Sequence, residues 1–330
     1  MLFYSVLALI FSWQAVGTPV VITGRTMGTT YTVTYFDARQ RDFTFSVDSL
    51  LRVVNRSINT YDVASEVSVF NRNARGQRFG LPHFYPLLAK AHDVSVASGG
   101  AFDLTVMPLV NAWGFGPGKV LTPSANQVDS IRRFVGFGKL TLRRDSVLKS
   151  DPRVQLDFGG IGQGYGADMI ADFLSTKGVR DMLVELGGEG VARGRNVLQN
   201  RPWQIGILDP ASTYDNQFFK AYVVLKDRSF TTAGNYFNYR EIDGRKYSHT
   251  IDPRTGYPVD LPLLSVSVFG RDCMTADAWD TAFMVMGHTR TIEYLEKHPE
   301  LDAILFYTQA DGSVATYVTA GIRPFVTFEP

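Results

Sequence analysis

The residues best suited to chemistry fall in three separated stretches. The first runs Leu156-Asp157-Phe158-Gly159-Gly160-Ile161-Gly162-Gln163-Gly164-Tyr165-Gly166-Ala167-Asp168, after strand-like Arg153-Val154-Gln155. Five glycines in eight positions, where a strand turns into a helix, strip away side chains so that backbone amides and carbonyls can approach a ligand. Asp157 stands at the edge of that opening. The spacing is neither the dinucleotide fingerprint G-x-G-x-x-G nor a P-loop, because no Gly-Lys-Ser/Thr ends it. A Gly-rich turn that merely packs a helix on a strand has the same composition, so the cluster alone assigns nothing. The second stretch, Ser248-His249-Thr250-Ile251-Asp252-Pro253-Arg254-Thr255-Gly256, sets a histidine at a strand end beside a Pro/Gly turn. In the third, Asp277 and Thr281 are four apart on an expected helix and share one face. Such pairs abound on helices, and a lone histidine at a strand end is more often structural.

The elements that position these residues follow from periodicity. Val20 to Tyr35 reads as a strand, a turn at Met27-Gly28 and a second strand; Phe43 to Ile58 is an amphipathic helix, with Val47, Leu50, Leu51, Val54 and Ile58 at helical spacing. Ser65-Glu66 with Ser68 caps a short turn, Pro82 to Ser98 is a helix stopped by Gly99-Gly100, and the Gly- and aromatic-rich 100–116 segment can wall a flat-ring pocket. A short helix over 124–134 and a hairpin over 139–149 lead into the glycine cluster, and Tyr165 to Lys177 is its helix. Strands are expected at 182–191, broken by Gly187-Gly188-Glu189-Gly190, and at 203–208, 218–225, 263–269, 303–307 and 314–318. Asp243-Gly244 marks a hairpin, a helix carries Thr275 to Phe283, and Ile292 to Lys297 is a further helix. His83 and His92 do not share a helical face and are read as surface or core residues. There is no internal repeat.

Composition bounds the function. At 330 residues and 45% hydrophobic content, the chain can bury a substantial core. Lys+Arg 33 against Asp+Glu 32 leaves no basic field, which argues against a nucleic-acid partner. The single Cys273 excludes an internal disulfide and a Cys-rich zinc site. Leu2 to Trp13 is apolar but shorter than the roughly 20 residues a bilayer span needs. With small residues at Ala15-Val16-Gly17 it reads as an export segment, although no Lys or Arg precedes Arg25. The expected organisation is a signal segment over 1–17 and one catalytic domain over 18–330.

Taken together, the stretches Met27-Gly28-Thr29, Tyr61 with Ser65-Glu66, Gly100-Ala101-Phe102-Asp103, Leu156 to Asp168, Tyr247-Ser248-His249 with Asp252 to Gly256, and Ala276-Asp277 with Thr281 resemble, in order, the FAD:protein FMN transferase (ApbE) family over roughly Gly24 to Val318. The resemblance implies an α+β fold with mainly antiparallel sheet. It also implies Mg²⁺-dependent transfer of FMN from FAD, the substrate, to a Thr or Ser of a target protein, with release of AMP. The target would carry a Ser/Thr flavinylation motif and be a subunit of a membrane redox complex, reached in the periplasm or at the outer face of the inner membrane.

By the same resemblance, Met27, Tyr61, Ala101, Phe102, Asp103, Asp157 and Gln163 contact FAD, joined by Thr250 or Ile251. Asp277, Thr281 and the carbonyl of Gly160 supply oxygen ligands that suit Mg²⁺. His249 is the candidate for proton transfer or for holding the target hydroxyl, with Asp277 the alternative base. An unperturbed imidazole titrates near pH ~6.5 and can accept a proton at neutral pH. Two positions depart from the family pattern: Gln163 stands where many relatives have Lys, and Thr232-Ala233-Gly234-Asn235-Tyr236 replaces a more usual T-S-G-D/N-Y. Three rival readings keep part of the pattern: an FAD pyrophosphatase in which water replaces the target hydroxyl, a flavin-binding protein without catalysis, and, last, a dehydrogenase, which the missing dinucleotide fingerprint disfavours.

Overall fold

The structure is a computed structural model that describes residues 17–117, 122–213, 215–234, 239–242 and 245–329. The export segment, the Asn235-Tyr236 departure and the Asp243-Gly244 turn lie outside the described residues.

The chain opens with the hairpin β1 (Val20–Thr26) and β2 (Thr29–Phe36). Met27 and Gly28 join them with φ of 49° and 77°, the two successive positive values that a type I′ loop requires. Helix α1 (Thr44–Ile58) buries Val47, Leu51, Val54 and Ile58 along one stripe. Helix α2 (Glu66–Arg72) is capped by the Ser65 hydroxyl, which accepts from the Ser68 amide at 3.2 Å. There follow β3 (Gly76–Arg78), α3 (Phe84–Ala97), α4 (Met107–Ala112) and α5 (Ala125–Arg132). A reciprocal Ser124–Gln127 capping box starts α5. Strands β4 (Leu140–Leu142) and β5 (Ser146–Lys149) complete a small sheet with β3. Helix α6 (Gly162–Thr176) begins three residues earlier than its apolar pattern suggests, inside the glycine cluster.

Next come β6 (Asp181–Leu186), β7 (Glu189–Arg193), β8 (Trp203–Leu208), β9 (Phe219–Leu225), β10 (Arg228–Gly234), the paired β11 (Tyr239–Ile242) and β12 (Arg245–Ser248), and β13 (Leu263–Gly270). Helix α7 (Cys273–Leu295), the hairpin β14 (Asp302–Thr308) and β15 (Val314–Val318), and β16 (Val326–Phe328) close the chain. The separate helix expected over 292–297 is the continuation of α7, which breaks at Gly287 (φ 76°) and resumes.

Eight strands form one sheet in the order β1-β2-β6-β7-β10-β13-β14-β15, every pair antiparallel. The architecture is therefore α+β, as the family resemblance implied. Strand alternation assigns the two faces. Val266, Val268, Ala303 and Leu305 pack with Ala276, Ala282 and Phe283 of α7, whereas Phe269, Ile304 and Phe306 face Trp203, Ile207 and Val223 of the three-stranded sheet β16-β9-β8. At the other end, Tyr31, Val33, Val184 and Leu186 pack on Val47 and Leu51 of α1 and Ile170 and Leu174 of α6. Helices α6 and α7 thus lie side by side on one face of the sheet. Asp168 of α6 fixes their relation by accepting from the Cys273 and Met274 amides at 2.9 and 2.8 Å, groups that would otherwise be orphaned at the start of α7.

Candidate active site

The glycine cluster owes its composition to α7. A Cβ on Gly164 would lie 2.4 Å from the Cys273 carbonyl oxygen and 2.7 Å from Asp277 Cβ; one on Gly160 would lie 2.7 Å from Thr281 Oγ1. Only a bare backbone lets α6 and the turn before it come this close to Asp277 and Thr281. The approach is tied by the Gly164 amide, which donates to Asp277 Oδ2 at 2.8 Å. On the other side of the turn, the Asp157 amide donates to the Leu104 carbonyl at 2.8 Å, and Asp157 Oδ1 accepts from the Gly159 amide at 3.0 Å.

In front of this junction runs a groove made of two adjoining cavities of about 300 and 580 Å³. Both are lined by Thr60, Tyr61, Asp157 and Gly159, which mark the waist between them. The smaller chamber is closed by Met27, Gly28, Asn55 and Gln163. The larger is walled by Met107, Phe115 and Ala233 and reaches His249, Thr250, Ile251, Gly160 and Thr281. Tyr61 stands in the waist with its ring largely exposed and its hydroxyl donating to the Phe115 carbonyl at 3.3 Å. His249 is exposed at the rim.

The structure thus gathers Met27, Tyr61, Asp157, Gly160, Gln163, His249, Thr250, Ile251 and Thr281 along one groove. Asp277, 4% exposed, lies directly behind it. Ala101, Phe102 and Asp103 do not line either chamber. Ala101 packs with Val259 and Val285, and Phe102 belongs to the main core. The Asp103 carboxylate is occupied by the Thr105 amide and hydroxyl at 2.8 and 2.7 Å and the Phe137 amide at 2.8 Å. It shapes the 100–116 segment, whose later residues Val106, Met107, Val110, Phe115 and Gly116 form the groove wall.

Burial governs the electrostatics. It raises the Asp157 carboxyl above its ordinary value, against the lowering effect of the Gly159 amide. Asp277 is pushed up to about 7 by burial, opposed by its Gly164 hydrogen bond, with Asp168 adding repulsion. Two further carboxyls absent from the sequence-based set lie beside it: Asp280, on α7, and Glu189, the first residue of β7. Burial raises both well above the usual carboxylate range, and their acidic neighbours raise them further. Asp280, three residues after Asp277, lies within the helical spacing that marks a shared face. No local pattern announces Glu189, because sheet pairing brings β7 to α7.

The sequence profile of the ApbE family matches residues 27–305. The chain belongs to the ApbE family. The chain is 33% identical over 313 residues to the FAD:protein FMN transferase of Vibrio cholerae, covering 93% of this chain and 92% of that protein. It is 34% identical over 293 residues to the FAD:protein FMN transferase of Haemophilus influenzae, covering 84% and 83%. The solved flavin transferase ApbE from Vibrio cholerae superposes with a TM-score of 0.83 at 32% identity, over 93% of this chain and 99% of that one. The ApbE fold therefore accounts for nearly the whole chain.

Proposed function

We propose that this chain, an enzyme, moves FMN from FAD to a Thr or Ser hydroxyl of a target protein and releases AMP. The observation that carries the reading is the groove itself. It has two chambers joined at a waist of backbone glycine and Asp157, with Gly160, Thr281 and the buried Asp277 at the waist's far side. An elongated dinucleotide has this form, with bulky groups at both ends and a pyrophosphate between them. The relatives' name, FAD:protein FMN transferase, agrees with that substrate.

In this reading the thioether of Met27 and the ring of Tyr61 offer apolar surface to flat rings. Asp157 suits a ribose hydroxyl or a ring N–H. The target hydroxyl oxygen forms a bond to the FMN-side phosphorus, the bond from that phosphorus to the bridging oxygen breaks, and AMP leaves with the electron pair. The hydroxyl proton passes to the His249 imidazole at the groove rim. Asp277, the Thr281 hydroxyl and the Gly160 carbonyl are all hard oxygen donors. The absence of a Gly160 side chain sets its backbone against Thr281, so the three fit Mg²⁺. When bound there, Mg²⁺ neutralises charge on phosphate oxygens. Export through the apolar Leu2 to Trp13 segment would place the enzyme at the outer face of the inner membrane, with a membrane redox subunit as target.

The test combines the full chain, FAD, Mg²⁺ and an acceptor carrying a Ser/Thr flavinylation motif. Flavin fluorescence that stays on the acceptor after denaturation is the expected result. Free FMN and AMP with an unmodified acceptor would assign a pyrophosphatase instead, and flavin binding without AMP would remove catalysis altogether.

A further inference from the structure

Helix α2 has only seven residues, yet both sides of the groove waist are tied to it. Its first turn holds the Thr60-Tyr61 side. The Ser65 hydroxyl donates to the Asn59 carbonyl at 2.6 Å, and the Ser68 hydroxyl donates to the Thr60 carbonyl at 3.4 Å. Val67 and Phe70, both fully buried, root the helix in the main core, so these bonds fix the Tyr61 loop to a rigid base.

The last turn holds the Asp157 side through one side chain, Asn71. Its Nδ2 donates to the Leu156 carbonyl at 2.9 Å and its Oδ1 accepts from the Leu156 amide at 2.7 Å, across 85 positions of chain. Two residues paired in an antiparallel sheet exchange the same two bonds through their backbones. Leu156 is fully buried and belongs to no strand, so both of its backbone groups need partners from elsewhere. A carboxamide carries one acceptor and one donor group, and Asn71 thus stands in for the missing ladder partner.

The same stretch is held on a second side. Gln155 forms a parallel bridge with Val106, and the Asp157 amide donates to the Leu104 carbonyl. Among the described residues, the Asp157 carboxylate is hydrogen-bonded only by the Gly159 amide, two positions on in the same turn. The backbone at 156–157 therefore decides where that carboxylate points.

We propose that Asn71 is a positioning residue for FAD: without lining either chamber, it sets the separation of Asp157 from Tyr61 across the waist. The role in FAD binding rests on the proposed function; the grip on Leu156 stands on its own atoms.

Two measurements on the full chain test this. The first is a double-mutant cycle on FAD affinity, read by fluorescence titration. Asn71→Ala should weaken FAD binding by about tenfold, the order for members of one hydrogen-bonded network. Added to Asp157→Ala it should cost less than about threefold more, because the side chain it places is already gone; independent effects would multiply in full. Ile304→Val, which trims the core on the opposite face of the sheet, controls for lost stability and should leave FAD affinity unchanged. Asn71→Asp keeps the oxygen that accepts from the Leu156 amide and loses only the donor, and it replaces the Ala variant in the cycle should that one fold poorly. The second measurement is hydrogen exchange without FAD. In Asn71→Ala the Leu156 amide should exchange about tenfold faster, or more, relative to amides of the eight-stranded sheet. Unchanged exchange at Leu156, or effects on FAD affinity that multiply in full, would overturn the role of Asn71 and leave the transferase reading intact. A wild-type protein that binds no FAD would remove the transferase reading and the positioning role together.

Discussion

Replacing Gly164 by Ala tests whether the α6–α7 approach is what organises the site. The new Cβ would meet the Cys273 carbonyl oxygen at 2.4 Å and Asp277 Cβ at 2.7 Å, whereas ordinary contact begins near 3.4 Å. The helices must part by about 1 Å, and one of the colliding atoms belongs to the α7 backbone. Overpacking of this kind costs up to ~3 kcal/mol, against a gain of about 1 kcal/mol from replacing glycine inside a helix. The net expectation is a loss of up to about 2 kcal/mol. Gly166 is the control, two residues along the same helix. Its Cβ would meet only the ends of Leu186, Met27 and Leu51 at 3.1, 3.3 and 3.5 Å, which can yield. Gly166→Ala should therefore be neutral or stabilising, by up to about 1 kcal/mol. Urea unfolding of both variants measures the difference. The Gly164 variant should also lose flavin transfer, because the hydrogen bond by which the residue-164 amide holds the Asp277 carboxylate is pulled apart. Equal stability of the two variants, with transfer retained in Gly164→Ala, would refute the reasoning.

Other perturbations separate the roles of the groove residues. Asp277→Ala removes the only charged donor of the Gly160–Thr281 set. Mg²⁺ affinity by calorimetry should fall sharply and AMP release should drop roughly a hundredfold or more, since about 1.4 kcal/mol of lost transition-state stabilisation is tenfold in rate. His249→Ala should leave Mg²⁺ and FAD binding nearly unchanged while slowing transfer by about 10²- to 10⁴-fold, the range for losing a general base. Asp157→Asn keeps shape and deletes charge; FAD affinity should weaken by about 10- to 100-fold in a fluorescence titration, the size of a hydrogen bond to a charged group. Far from the site, Arg41 grips Asp37 through Nε and Nη2 at 2.9 and 2.8 Å, and these hydrogen bonds hold the Asp37 carboxyl down at about 2. A depressed carboxylate stabilises fully above its unfolded value of 3.8, and the contribution is lost as pH falls from there through 2. Asp37→Asn should therefore lower stability at neutral pH by on the order of 1 kcal/mol, discounted for the partly exposed guanidinium, and the gap to wild type should close in melts near pH 2.

Local pattern alone determined much of this molecule. Short Gly-containing turns, Ser caps and period-two runs act over a few residues, so the β1–β2 and β14–β15 hairpins, the α2 cap and the stripe of α1 were legible without tertiary information. The same holds for the pairing of Asp277 with Thr281, which helix geometry places on one face, and for a glycine cluster that demands close backbone approach. Strand β10 was not legible. Its sequence Arg228-Ser229-Phe230-Thr231-Thr232-Ala233-Gly234 has no apolar alternation, and it is a strand because β7 and β13 supply ladder partners on both sides. Family resemblance named Ala101, Phe102 and Asp103 as FAD contacts; only the folded chain shows that the Ala101 and Phe102 side chains pack inward, that the Asp103 carboxylate is turned to Thr105 and Phe137, and that Val106, Met107, Val110, Phe115 and Gly116 line the groove. Tertiary structure alone also determined what the glycines approach and that Glu189 joins Asp277 and Asp280. These contacts link residues distant in sequence, and the charge and hydrogen-bonding needs of a buried group are set by neighbours that only the folded sheet and its two helices bring together.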